Sequence, residues 1–166
     1  MLCPASTMRR VSMPSFAATS GLRSMGGWVT GMVASEDQAL AGAILISAAN
    51  MGMAAQMAGD RLEAQAAGNS EGLAGTSPAL QAAELRAQAV AFDLRPRAAG
   101  LARQPLLVLT SDDGLKPATD PLVTAARAAG GKVTEGHQAT DHSWSDARIA
   151  LATRIHDWLE TLPARR

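Results

Sequence analysis

Residues 105–117 read PLLVLTSDDGLKP, and this stretch decides the fold. The run LLVLT at 106–110 is apolar throughout and is bounded by polar turn residues. A continuous apolar run of this length is typical of a strand that helices cover on both faces, as in parallel sheets. Two acids, Asp112 and Asp113, come directly after it. The stretch therefore predicts a central parallel strand whose carboxyl end leads into an acidic loop.

The chain after this strand continues with alternating helix and strand signals. Asp120 and Pro121 are suited to the N-cap and first turn of a helix, so they predict a helix start there. Residues 132–138 predict a further strand, and a last helix from about Ser145 carries one apolar stripe of Leu151, Ile155, Trp158, Leu159 and Leu162. This alternation with short connections predicts right-handed crossovers and a parallel sheet.

The first part of the chain is weaker in pattern. Residues 1–22 show no helical or strand period, and they predict a disordered or aberrant N-terminus. Within residues 23–50, a glycine-containing helix is predicted at 26–35 and an apolar strand at 43–48. The sequence thus predicts an α/β protein in which a short helix leads into a buried strand.

Residues 51–103 differ in composition from the segments on either side. They are rich in Ala, Gln, Met and Arg, and Pro78 is placed to open a helix. Two or three small helices are predicted here, inserted before the C-terminal α/β part at 104–166. The whole chain is expected to form one domain.

Charge and hydropathy exclude several kinds of partner. Fifteen Lys and Arg balance fifteen Asp and Glu, so no net field attracts nucleic acid or an anionic membrane. No apolar run reaches about eighteen residues, which excludes a membrane span and predicts a soluble protein. The single cysteine, Cys3, forms no internal disulfide; this leaves the compartment open, with the cytoplasm favoured.

Ser24 begins the run SMGGW at the entrance of the predicted helix. A small-residue turn at that place holds a serine exposed, with free backbone N–H groups beside it. The full pattern has glycine two residues before the serine, where this chain has Leu22. The alternative interpretation is a helix N-cap, which is the commoner role of a serine in such a position.

Two later groups favour a catalytic role. Asp112 and Asp113 follow one predicted strand, and His142 follows the next. Loops at the carboxyl ends of parallel strands meet at one edge of the sheet, where ligands bind. The order serine, aspartate, histidine is that of one of the known serine-triad folds and differs from the two others.

Three segments together resemble the α/β-hydrolase superfamily. Residues 105–117 look like its acid-bearing strand and loop, residues 139–146 (ATDHSWSD) like its histidine loop, and residues 24–28 like its nucleophile turn. The resemblance spans residues 23–166 and corresponds to the C-terminal half of the fold. It implies a serine hydrolase with the last three or so strands of an incomplete sheet, and a lid at 51–103. A truncated or frame-shifted gene is the expected cause.

The resemblance also implies a role for each residue. Ser24 is expected to be the nucleophile, His142 the base and Asp113 the acid that orients the histidine. Asp113 is preferred because the family places the carboxylate four residues before a proline, here Pro117, and Asp112 is the alternative acid. The implied reaction is hydrolysis of an ester, thioester or amide of a small-molecule acyl substrate, through an acyl-enzyme.

Met25 is expected to supply one oxyanion donor through its backbone N–H, while the second belongs to an early loop that this sequence lacks. No phosphate loop, dinucleotide fingerprint or zinc spacing occurs, so no cofactor is expected. His137 and His142 with Asp141 and Asp146 lack a recognised ligand spacing, which argues against a metal site.

The edge of the strand at 43–48 supports a different function. An exposed edge invites self-association or pairing with another chain. The alternative to an enzyme is therefore a non-catalytic hydrolase fragment or interaction module that uses this edge.

Overall fold

A computed structural model describes residues 23–70 and 74–162 of the chain. They form a parallel sheet whose strands are β1 (Arg23–Ser24), β2 (Ala43–Ala48), β3 (Leu106–Ser111) and β4 (Val133–Gln138), in that order. The strands predicted at 43–48, 106–111 and 132–138 are confirmed to within a residue. The chain is thus an α/β protein with a parallel sheet flanked by helices, and the prediction for residues 1–22 lies outside the described residues.

Helices occupy most of the remaining described residues. They are α1 (Met25–Glu36), α2 (Met51–Ala54), α3 (Gly59–Ser70), α4 (Pro78–Ala87), α5 (Ala98–Leu101), α6 (Lys116–Ala128) and α7 (Arg148–Glu160), with a 3-10 turn at Arg95–Arg97. No helix in the described ranges is long and apolar enough to span a bilayer.

The two faces of the sheet bury separate apolar clusters. On one face, α1, α5 and α6 cover alternate residues of the strands, such as Leu45, Leu106 and Val108. On the other face, the stripe of α7 packs with Trp144 and Trp158 over Ile44, Ile46, Leu107 and Leu109. Because both faces are covered, β2 and β3 are apolar except at Ser47, Thr110 and Ser111 near their carboxyl ends. The predicted stripe of the last helix is confirmed.

Two predicted helix starts are wrong. Helix α6 begins at Lys116, with Pro117 in its first turn, and Pro121 lies inside it. Asp120 lies inside α6 and therefore does not cap it, and its carboxylate pairs with Lys116 one turn earlier, at 2.7 Å. Helix α7 begins three residues later than predicted, at Arg148. The backbone before it forms a separate turn, in which the N–H of Ser145 donates to Asp141 Oδ1 at 2.9 Å.

The described part of the segment at 51–103 is helical as predicted, but it contains four helices, α2 to α5, where two or three were predicted. Pro78 opens α4, and the N–H of Leu80 donates to the hydroxyl of Ser77 at 3.2 Å, which caps the helix. Helices α2, α3 and α4 lie together and form what we call the cap. Leu94 and α5 instead belong to the core beneath α1, where a Cβ on Gly100 would collide with the carbonyl oxygen of Ser35. The cap therefore ends before residue 94.

Candidate active site

Ser24 lies at a sharp strand-to-helix turn. It is the last residue of β1, and α1 begins at the next residue. Its backbone has φ 56° and ψ −112°, a conformation that costs a non-glycine residue about 1–3 kcal/mol. Its side chain makes no hydrogen bond that caps α1. A strained serine between a strand and a helix is the arrangement by which a nucleophile turn is recognised. The Ser24 hydroxyl does not cap the helix.

Ser24 is held at the carboxyl end of the neighbouring strand. It pairs with Ala48 of β2, and the N–H of Ala49 donates to the Ser24 carbonyl at 3.0 Å. The sequence before Ser24 shows no apolar strand, and within the described residues β1 comprises Arg23 and Ser24. Its position is therefore determined by pairing with β2 rather than by its own pattern.

Asp113 and His142 are in direct contact. His142 Nδ1 lies 2.8 Å from Asp113 Oδ2, and the N–H of Leu115 donates to the other carboxylate oxygen at 2.9 Å. The Asp113 side chain is 3% exposed, whereas that of His142 is 42% exposed. A buried carboxylate on Nδ1 orients the ring and leaves Nε2 for proton exchange with a hydroxyl, as in serine-type triads.

The environment of Asp113 keeps its carboxylate charged. Burial raises its pKa, but hydrogen bonds from Leu115 and His142, together with the nearby hydroxyls of Ser47 and Ser111, outweigh this effect. The pKa of Asp113 is therefore below its ordinary value. A carboxylate that stays ionised at neutral pH can stabilise a histidine cation beside it.

A small buried network lies beneath this carboxylate. The hydroxyls of Ser47 and Ser111 are 2.8 Å apart, and Trp144 Nε1 donates to Ser47 Oγ at 3.2 Å. All three residues are at most 2% exposed. We did not predict a role for either serine. The available signal was a hydroxyl at the carboxyl end of each apolar strand, in AILISA and LLVLTS.

Backbone strain is concentrated at this edge of the sheet. Among the described residues, the non-glycine residues with positive φ are Ser24 at 56°, Ser47 at 42° and Trp144 at 55°. All three belong to the site or to the network beneath Asp113. Such conformations persist only where the surrounding structure compensates for them, and they cluster at functional sites.

The neighbouring Asp112 contacts a different histidine. Its Oδ1 lies 3.1 Å from His137 Nε2, while His137 Nδ1 lies 3.0 Å from the hydroxyl of Thr110. The Asp112 and His137 side chains are 62% and 43% exposed. The alternative acid is thus paired with His137 rather than with His142. The described part of the chain has no group of three or more metal-ligating side chains.

Ser24 and the Asp113–His142 pair lie at one edge of the sheet without a hydrogen bond between them. Within the described ranges, no hydrogen bond joins Ser24 Oγ to His142. The link is indirect, because Ser24 pairs with Ala48, and the adjacent Ser47 reaches the Asp113 network. Catalytic hydrogen bonds are often long in the absence of substrate and tighten when it binds.

Met25 is the first residue of α1 and follows Ser24 directly. The first N–H groups of a helix have no acceptor within the helix, and the helix dipole makes this end attractive to negative charge. The backbone N–H of Met25 is therefore a suitable donor to an oxyanion formed at Ser24.

Comparison with known proteins adds no relative. No protein-family model, curated protein or solved structure matches the chain. The site is therefore interpreted from its own residues and geometry.

Proposed function

We propose that this chain is a serine hydrolase of the α/β-hydrolase type, which cleaves an ester, thioester or amide bond through an acyl-enzyme. The observation that carries the proposal is the strained turn at Ser24, at the same sheet edge as the buried Asp113–His142 pair. A strained serine and an oriented histidine meet the two main requirements of nucleophilic catalysis.

The reaction follows from these roles. His142 Nε2 accepts the hydroxyl proton of Ser24 while Oγ attacks the carbonyl carbon of the substrate. The N–H of Met25 donates to the oxygen that becomes negative. When the carbon–heteroatom bond breaks, the histidine cation returns its proton to the leaving group. Water then attacks the acyl-enzyme with the same histidine as base, which releases the acid and restores the serine.

Asp113 is expected to act through His142. It holds the ring with Nδ1 protonated and stabilises the cation formed during each proton transfer. Its lowered pKa supports this role, because a protonated acid would no longer offset the positive charge.

A fluorophosphonate probe tests the proposal directly, because it reacts covalently with an activated serine hydroxyl. We expect the wild-type chain to be labelled at Ser24, with the modified peptide located by mass spectrometry. Ser24→Ala should abolish labelling. Ser77→Ala is the matched control, since Ser77 caps α4 in the cap and lies outside the site. A wild-type protein that is folded by circular dichroism and remains unlabelled would overturn the proposal.

A second candidate function is an interaction module. The observation that favours it is the edge of β2, which among the described residues pairs with β1 at Ile46 and Ala48. Backbone groups at a sheet edge can pair with a strand from another chain. In this case, the unlabelled protein should associate as its concentration rises, which sedimentation velocity would measure. A monomer at all concentrations would count against self-association.

A further inference from the structure

A pocket of about 260 Å³ lies between the start of α1 and the cap. Its buried lining residues are Met51, Leu62 and Ala66, which come from α2 and α3. Trp28 and Phe92 form another wall, with their rings edge to face and their centroids 4.9 Å apart. The interior of the pocket is therefore apolar and partly aromatic.

The aromatic wall is anchored to the backbone. Trp28 Nε1 donates to the carbonyl of Phe92 at 2.8 Å, and the N–H of Gly52 donates to the same carbonyl at 3.2 Å. These bonds connect α1 and α2 to Phe92, which follows α4. A pocket whose walls are fixed in this way is largely formed before a ligand arrives, as is usual for small-molecule sites.

The pocket adjoins the nucleophile. Met25 is one of its lining residues and directly follows Ser24. A substrate carbonyl at the N–H of Met25 would therefore have the pocket beside it. Such a substrate has an acyl group on one side of the scissile bond and a leaving group on the other. One of these two groups would lie next to the pocket.

We propose that the pocket binds the acyl group of the substrate, and that this group is apolar, uncharged and of medium length. This inference rests on the proposed function. The volume corresponds to about nine water-sized groups and is below the range of drug-sized sites, so it fits an acyl chain of roughly four to eight carbons.

The rim of the pocket restricts charge. Gln65 and Glu84 line it and are exposed, and Gln81 is half-buried, whereas the fully buried lining residues are apolar. An acyl chain that ends in a carboxylate would lose its hydration inside or meet the carboxylate of Glu84 at the rim. Monoacyl esters are therefore expected to be preferred over the half-esters of dicarboxylic acids.

A chain-length series tests the inference. The kcat/KM for p-nitrophenyl acetate, butanoate, hexanoate and dodecanoate would be measured with the full chain. We expect about a fourfold rise per methylene up to hexanoate, because each buried methylene contributes about that factor. Dodecanoate should be slower than hexanoate. A flat series, or acetate as the best substrate, would refute the inference.

Filling the pocket provides a second test. Ala54 of α2 is a half-buried lining residue, so Ala54→Phe should reduce the ratio of hexanoate to acetate kcat/KM by at least about tenfold. Ala83→Phe is the matched control, because Ala83 is exposed on α4 and outside the lining. It should leave the ratio unchanged. Circular dichroism melting would verify that both variants fold.

Binding without catalysis separates this inference from the proposed function. Methyl hexanoate would be titrated into Ser24→Ala, with tryptophan fluorescence and the melting temperature as readouts. Labelled Ser24 with a flat chain-length series would refute the acyl pocket and leave the hydrolase standing. Unlabelled Ser24, with binding that Ala54→Phe abolishes, would refute the hydrolase and leave the apolar pocket standing. Absence of binding as well as of any chain-length effect would refute the pocket.

Discussion

The two adjacent acids after β3 each contact a histidine, yet their environments differ. The Asp113 side chain is 3% exposed and contacts His142, while the Asp112 side chain is 62% exposed and contacts His137. Asp113 also accepts a hydrogen bond from the backbone of Leu115. An Asp–His contact alone therefore does not distinguish a catalytic pair from a surface pair. Burial and a fixed set of donors make that distinction.

The two histidine side chains are almost equally exposed, at 42% for His142 and 43% for His137, and they differ instead in their hydrogen bonds. Both ring nitrogens of His137 have protein partners, the hydroxyl of Thr110 and the carboxylate of Asp112. His142 has its Asp113 partner on Nδ1, so that its Nε2 is the nitrogen placed for proton exchange. The proposed function therefore gives the catalytic role to Asp113 and His142, and the following predictions test this proposal.

The largest expected effect is on turnover. Asp113→Asn should lower kcat for p-nitrophenyl butanoate by about 10⁴-fold, because an amide favours the wrong tautomer of the histidine. Asp112→Asn, the matched control one residue away, should change kcat by less than about twofold, since exposed substitutions have small effects. A greater loss in the Asp112 variant would transfer the role to the exposed pair.

The second prediction concerns stability. Asp113→Ala should lower the free energy of unfolding by about 1–3 kcal/mol, because it leaves the N–H of Leu115 and the buried hydroxyls without their acceptor. Asp112→Ala should change it by less than about 0.5 kcal/mol. Urea unfolding followed by tryptophan fluorescence would measure both. Equal losses would mean that burial does not separate the two acids.

The hydroxyl network beneath Asp113 should contribute less to the free energy of unfolding than Asp113 itself. Ser47→Ala removes the acceptor of the Trp144 indole N–H and the partner of Ser111, so we expect a loss of about 1 kcal/mol in urea unfolding. Thr153→Ala on the exposed side of α7 is a control for loss of a hydroxyl, with an expected change below about 0.5 kcal/mol. An unchanged stability for Ser47→Ala would show that the network is not stabilising.

The smallest expected effect is on the pH dependence of stability. The folded-state pKa of Asp113 lies below its unfolded value, so the carboxylate stabilises the fold above the unfolded pKa of about 3.9. This contribution is lost as the pH falls through the folded pKa. Wild type should therefore lose stability more steeply than Asp113→Asn below about pH 4, by at most about 1.4 kcal/mol per pH unit. Parallel curves throughout the range below about pH 4 would contradict this.

Local signals were enough for much of the sheet. Strands β2 and β3 and the apolar stripe of α7 were predictable, because an apolar run or a helical period indicates which residues are buried. The start of α6 was not, since Pro121 suits a first turn but is accommodated inside this helix. The residue at which α6 begins depends on the contacts that the preceding loop makes in the folded chain.

The sequence by itself determined the α/β class, the three longer strands and the serine, aspartate and histidine that are candidates for catalysis. Only the tertiary structure decided which acid contacts His142, that Ser47 and Ser111 lie beneath it, and that the cap and α1 enclose a pocket beside Met25. The physical reason is the range of the forces involved. The periodic burial of residues in a helix or strand can be recognised in the local sequence. Hydrogen bonds between residues more than twenty positions apart depend instead on how strands pair and loops turn.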